Sequence, residues 1–278
     1  MSSRQFCVLV LPCANQKGWV EAVSKAAAQA GWATTAKDAE RLDCQLVVST
    51  QAEEVLGWRG EDVAILASST REAVTAAVEV FEVDHAAAVR HVAGQYAHAE
   101  RLIREGASWL SADADVLDLP FGSVTNPCPA AQALEGDESA LSYLNIPGAP
   151  PLGQAIWPAD LFLHERPGKP DTNGKIFDLT GRRRILRYGP YINMPIGVWK
   201  VVVPFTLWID TAVAEIRVEW ASLQKAVSAT EVIRQSGRYE ASLSLAWESV
   251  GPCEIRIWLD RAVFDGAIQL HDPKIIRL

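Results

Sequence analysis

Several familiar phrases are missing from this 278-residue chain. It contains no GxGxxG, and no GxxxxGK followed by Ser or Thr, so neither common phosphate-binding turn is present. It has no GxSxG, no HExxH and no carboxylate pair defensible from spacing, which leaves hydrolase chemistry without a home. No run approaches the ~18 apolar residues of a membrane span. The opening MSSRQFCVLVLPC has only a short apolar run and no small-residue cleavage site, so it does not read as a signal peptide.

Positive charge is also in deficit. Lys and Arg number 26 against 34 Asp and Glu, giving −8, which argues against non-specific nucleic-acid binding. Cysteine is scarce: Cys7, Cys13, Cys44, Cys128 and Cys253 are scattered, odd in number, and form no CxxC or Cys/His cluster. Reduced thiols, a cytoplasmic location and no metal or other cofactor are the expectation.

Ten tryptophans are present, a high count for a side chain that is normally packed or used. Charge divides unevenly. Residues 1–125 carry 10 Lys/Arg against 17 Asp/Glu, whereas residues 155–278 carry 16 against 14. The predicted organisation is an α/β domain over 1–120, a Pro-rich connection over 121–154, and an all-β domain over 155–278.

The N-terminal part reads as a small parallel α/β domain. Residues 6–11 (FCVLVL), 44–49 (CQLVVS) and 63–67 (VAILA) are short apolar runs, as strands buried on both faces would be. Residues 19–30 have helical spacing, with Val20, Val23, Ala27 and Ala30 near one face and Gly31 as the stop. Residues 52–56 read as a short helix and residues 116–119 as a last strand. Ser69 or Thr70 is placed to cap a long helical stretch over 71–106, either continuous or broken near Gly94. Its His85, His91 and His98 recur at intervals that span ~10 Å of helix, too far apart to share an ion. With Val89, Val92, Tyr96 and Leu102 they predict a face against the sheet or a second subunit. The loop over 12–18, with Cys13, Asn15 and Lys17, sits where open α/β sheets bind ligands; an ordinary strand-to-helix loop is the competing reading. Asp113 and Asp115 match a metal-binding acidic pair only in letters.

Six prolines punctuate residues 120–154, around a modest helical stretch over 130–143. Residues 164–175 (HERPGKPDTNGK) read as a second turn-rich loop. Beyond it the period changes to two. Residues 215–220 alternate, as do residues 239–248 and 254–259, with turn signals at Gly197, Gly237 and Gly251-Pro252. About eight strands predict an antiparallel β-sandwich, jelly-roll-like in connection. Pro204, inside a long strand, calls for an edge or a bulge. By parity Trp220 and Trp247 belong to the core. Trp258 shares the outer face with Glu254 and Arg256, and Trp208 falls on an outer parity in its own strand. Tyr188 and Tyr191 fit either a plug at the sandwich end, with Met194, or a stacking rim for a sugar. Arg182, Arg183, Arg184 and Arg187 read as a solvated strand edge, or as a partner for acidic sugars or phosphate.

FDLTG (177–181), YGPYINMPIG (188–197), Trp199, the Gly237-Arg238-Tyr239 turn and EIRIW (254–258) together resemble a β-sandwich module. That module occurs beside bacterial glycosyltransferases and polysaccharide-related proteins, and a similar glycine-proline-tyrosine phrase opens its sheet. The resemblance implies a carbohydrate-binding-like fold without catalytic residues. The N-terminal part carries no such resemblance.

The leading expectation is a non-catalytic carbohydrate-recognition or accessory protein in bacterial surface-polysaccharide synthesis. It would bind a glycan or sugar-containing ligand beside a glycosyltransferase partner. The alternatives are a glycosyltransferase-like enzyme using a nucleotide sugar, and an assembly module that forms a homo-oligomer through the long helix.

Overall fold

A computed structural model describes residues 4–34, 44–128, 138–147, 153–164, 176–210 and 213–278. The chain divides into two compact units, Met1–Glu138 with Ile146–Ala149, and Ser139–Asn145 with Pro150–Leu278.

The first unit is built on a four-stranded parallel sheet. Strands β1 (Arg4–Val10), β2 (Cys44–Ser49) and β3 (Val63–Ala67) are joined through helix α1 (Gln16–Gln29) and short 3-10 turns. Helices α2 (Thr70–Phe81) and α3 (His85–Arg104) lead to β4 (Ser108–Ser111), and the sheet order is β2-β1-β3-β4. The short helix read over 52–56 is a 3-10 helix, Ala52–Val55. The expected last strand over 116–119 is not in this sheet. It forms a separate antiparallel hairpin of β5 (Val116–Leu119) and β6 (Gly122–Thr125), and Trp109 and Leu110 supply the fourth parallel strand. The alternating burial of β5 explains this: Leu117 and Leu119 face the core while Val116 and Asp118 face solvent.

One face of the sheet packs on α1 and this hairpin, through Val8, Val10, Trp19, Val23, Leu66, Leu117 and Val124. The Trp32 ring meets Phe121 edge-on at 5.7 Å. The long helical stretch is two helices, and it breaks at Glu82, not at Gly94. Glu82 adopts a left-handed φ of 52°, and the Asp84 carboxylate caps α3 by accepting from the Ala87 amide at 2.7 Å. Ser69 caps α2, accepting from the Glu72 amide at 3.2 Å.

Gly60 is required by close approach. A Cβ there would lie 2.2 Å from the Glu105 carbonyl oxygen, which is backbone and cannot swing aside. Gly60→Ala is expected to cost about 1–3 kcal/mol by overpacking. Thermal denaturation checks this, and an unchanged Tm would show that the loop yields freely.

The second unit contains two antiparallel sheets. Its strands are β7 (Gln154–Ile156), β8 (Ile176–Asp178), β9 (Arg184–Met194), β10 (Gly197–Trp208), β11 (Ala214–Ala221), β12 (Ala226–Ile233), β13 (Gly237–Trp247), β14 (Gly251–Leu259), β15 (Ala267–Leu270) and β16 (Lys274–Arg277). One sheet is centred on β10. Strand β13 pairs along one edge of it, and β16 and β15 share the other, flanked by β7 and β8. The second sheet runs β12-β11-β14-β9. The inward residues of both are those of the apolar parity: Trp199, Val201, Val203, Phe205 and Leu207 on β10, Ile216, Val218 and Trp220 on β11, and Ile255, Ile257 and Leu259 on β14. The sheets meet at Trp220 and Trp247, whose rings are 4.9 Å apart.

Pro204 needs neither an edge nor a bulge. It faces Glu240 on one side, and on the other it falls between the end of β16 pairing at Val202 and the start of β15 pairing at Phe205. Its missing N–H therefore costs no ladder bond, while its carbonyl accepts from the His271 amide at 3.1 Å.

Of the stretch read as helical over 130–143, residues 130–137 lie outside the described residues, and Ser139–Leu141 is a 3-10 turn. Residues 165–175 of the second turn-rich loop also lie outside them.

Candidate functional site

The outward faces of β11 and β14 carry Glu215, Arg217 and Glu219, and Glu254, Arg256 and Trp258. Antiparallel register sets Arg217 opposite Trp258 and Glu219 opposite Arg256. Opposed side chains on one face of a sheet are close enough to pair, and here they form a continuous ladder. Tyr191 donates its hydroxyl hydrogen to Glu254 Oε1 at 2.9 Å. Glu254 accepts from Arg256, and Arg256 Nη1 donates to Glu219 Oε1 at 2.6 Å. Arg217 Nη1 donates to Glu219 Oε2 at 2.8 Å, and its Nε to Asp260 Oδ2 at 2.6 Å. Arg183 Nε closes the row on Asp260 Oδ1 at 3.0 Å.

The Trp258 indole lies within this ladder, half-buried. The Arg217 guanidinium sits 4.7 Å from its ring centroid and that of Arg183 5.9 Å, both in cation–π contact. The ion pairs fix the charge states. Hydrogen bonding from Arg217 holds the Asp260 carboxyl below its ordinary range. The hydrogen bonds of Glu254 and then Glu219 push the Arg256 guanidinium up. Burial, and then Glu254, raise the Tyr191 phenol to about 12, so it stays a donor.

The bulged geometry of β9 places Tyr191. Its register against β14 shifts between Pro252 and Glu254 and again between Ile257 and Trp258. Tyr191 adopts a left-handed φ of 63° and is 37% exposed, reaching over the sheet to Glu254. Such a conformation is costly for a bulky residue and is characteristic of sites that over-determine it. Tyr188 is half-buried, lies opposite Arg256, and exchanges backbone hydrogen bonds with Leu163.

The same irregularity corrects the reading of the arginine run. Arg187 is not on a solvated edge: it is 1% exposed, because the second register shift sets it opposite Ile257, a core residue. Its guanidinium stands 4.1 Å over the Phe162 ring. Arg184 is turned back onto the backbone carbonyls of Leu179, Thr180 and Arg182.

Trp208 and Trp258, the two tryptophans read onto outer faces as a ligand platform, lie on different sheets. Trp208 lies at the end of β10 beside Ala267 and is 43% exposed, on the sheet that does not contain β14. The structure therefore gathers Tyr191, Glu254, Arg256 and Trp258, with Tyr188 beside Arg256, and leaves Trp208 apart. It adds Arg183, read above only as part of the arginine run, and Arg217, Glu219 and Asp260, which sequence reasoning did not single out. Their signal was present: E-x-R-x-E over 215–219 and E-x-R-x-W over 254–258 are complementary once the strands are paired antiparallel.

In the first unit, the crevice beyond the carboxyl ends of β1 and β3 lies where strand order reverses. It is held by the chain itself. The Ala14 amide donates to Glu72 Oε1 at 3.3 Å, and the Tyr96 hydroxyl donates to the Ser68 carbonyl at 2.9 Å. Burial pushes the Cys13 thiol up to about 12, the opposite of a poised nucleophile. Lys17 points to solvent near Glu21. Val89 and Tyr96, expected on an interaction face, are buried inside this unit, Tyr96 edge-on to Trp109 at 6.2 Å. His85 faces Glu138, His91 meets the Phe81 ring, and His98 faces Glu53, so the three point to separate neighbours. Among the described residues no cluster of His, Cys, Asp and Glu is arranged to hold a metal, and no helix is long and apolar enough to cross a membrane. All five cysteines are free.

No family model and no curated protein matches the chain. Among solved structures it is similar over 37% of its length to a family 16 carbohydrate-binding module, covering 74% of that chain at 9% identity and a TM-score of 0.28. It is similar over 45% to a family 61 module in complex with β-1,4-galactotriose, covering 83% of that chain at 12% identity and a TM-score of 0.29. It is also similar over 38% to a xylan-binding domain from Paenibacillus barcinonensis, covering 86% of that chain at 11% identity and a TM-score of 0.26. TM-scores this low carry no weight for the ligand of this chain, which is read from its own residues.

Proposed function

We propose that the second unit recognises a glycan on the outer face of the β12-β11-β14-β9 sheet. The observation that carries this reading is the Trp258 indole set among paired guanidiniums and carboxylates, with Tyr191 at one end. Sugar hydroxyls both donate and accept hydrogen bonds, and their C–H faces pack on flat rings and guanidinium planes. A face that holds donors, acceptors and planar groups in fixed positions loses little entropy when a sugar lands on it.

The finer reading is a non-catalytic accessory protein of cytoplasmic surface-polysaccharide synthesis, working beside a glycosyltransferase on a jelly-roll scaffold. It is supported by the resemblance of residues 177–258 and by the free cysteines.

A glycan array probed with the intact protein tests the first statement, followed by titration calorimetry on the best binder. Trp258→Ala is expected to weaken binding about 30-fold, as an aromatic hot spot does. It is expected to lower stability by only about 1 kcal/mol, through the lost cation–π contacts. Unchanged affinity in the variant would remove this face from the binding reaction.

A further inference from the structure

Resting on the reading above, we infer that the ligand of this face is an uncharged oligosaccharide laid along β14, and not an acidic glycan or a single sugar. The balance of the ladder carries the first half of this. Arg183, Arg217 and Arg256 face Asp260, Glu219 and Glu254, and every one of the six is already in an ion pair. A uronate or sialate carboxylate would have to enter among three carboxylates and compete for guanidiniums that already have partners. Like charges brought together in this way select against a ligand strongly.

A neutral sugar meets no such opposition. A guanidinium has five N–H donors. The ladder engages two of them on Arg256, three on Arg217 and one on Arg183. The acceptor oxygens of the carboxylates alternate with these donors along the face, and hydroxyl groups satisfy both kinds. Three further charges flank the ladder: Arg182 and Arg261, both exposed and next in the chain to Arg183 and Asp260, and Glu215 on the outward face of β11. All three stand at the Arg183–Asp260 end, so any added attraction for an anion lies beyond that end and is opposed there by Glu215.

Length carries the second half. Glu254 and Asp260 stand six residues apart along β14 and its continuation, a span of ~20 Å at strand rise. That exceeds a single sugar ring, so one ring engages only part of the row. Trp258 lies between those ends, and the Arg183 side chain above it is 63% exposed.

The experiment titrates the intact protein with gluco-, galacto-, xylo- and manno-oligosaccharides of one to six units, and with oligogalacturonates of the same lengths. Neutral chains are expected to bind, tightening with length until the span is filled, and oligogalacturonates at least about tenfold more weakly. The double variant Glu254→Gln with Asp260→Asn should reverse that preference by leaving guanidiniums uncompensated, and the single variant Glu254→Gln should shift it part of the way should the double one fold poorly. Wild-type preference for oligogalacturonate, lost in Trp258→Ala, would overturn the neutral class while leaving glycan recognition standing. Equal affinity for one unit and six would overturn the extended mode. Binding of no chain of either kind would remove glycan recognition, and this inference with it.

Discussion

Trp220→Ala is expected to lower unfolding free energy by about 3–5 kcal/mol. The Trp220 side chain is fully buried, it faces inward from β11, and its ring meets Trp247 of the other sheet at 4.9 Å. Both rings are held by the two sheets at once, so neither sheet can relax into the space without breaking its own ladder. The loss therefore includes the transfer term and a cavity term. Chemical denaturation followed by far-ultraviolet circular dichroism measures it. A loss below about 1 kcal/mol would mean that the two sheets do not share this core. The comparison with Trp258→Ala is informative because the two residues sit on neighbouring strands of one sheet and differ only in which face they take.

Arg187→Met is expected to act in the opposite direction, stabilising the protein by about 1 kcal/mol, the gain from removing a desolvated guanidinium being partly offset by the lost attraction to Asp272 and Asp160. Arg187 is buried at a core register, and its Nε and Nη2 have no hydrogen-bond acceptor among the described residues. Burial drives the guanidinium pKa down to about 10, against the opposing pull of Asp272 and Asp160. Folding thus lowers the pKa of a base. The penalty is present in full below about pH 10 and is relieved only as pH rises through that value. Methionine keeps an unbranched apolar stem against Phe162 and removes the charge. Denaturation at neutral pH gives the sign directly. Destabilisation by more than about 1 kcal/mol would show that the guanidinium has a strong partner in the folded protein.

The sequence made the strands of the second unit legible because a sheet with one wet face imposes a period of two. Residues 215–220 and 254–259 could be assigned to inner and outer faces before any pairing was known. The ladder itself was not legible, since it depends on which strand lies beside which. Arg217 and Glu219 look like ordinary solvated charges until β11 and β14 are placed side by side. Arg187 could not be told from the solvated arginines beside it, because a bulge adds one residue without any sign in composition. In the first unit, the β-α-β rhythm fixed three of the four parallel strands. The fourth was missed because β4 follows closely on a helix, with only Glu105, Gly106 and Ala107 between. The helix break at Glu82 was missed because glutamate is a poor advertisement for a left-handed turn, whereas Gly94 invites one and sits undisturbed within α3.

The pairing of β7 with β16 has a practical meaning for how this protein can be handled. The first and last strands of the second unit are hydrogen-bonded neighbours: Lys274 lies opposite Ile156, and the Arg277 amide donates to the Gly153 carbonyl at 2.7 Å. A segment whose first and last strands are stapled together at one seam behaves as a cassette when it keeps residues 139–145, which belong to the same unit and pack Tyr143 against Trp157 and Trp199. It can be spliced into a surface loop of a host protein, or rejoined end to end and opened at the 222–225 turn, with only a short linker and no strand displaced. The outer face of β11 and β14 would travel with it unchanged, which makes that face portable onto any scaffold with two closely spaced attachment points.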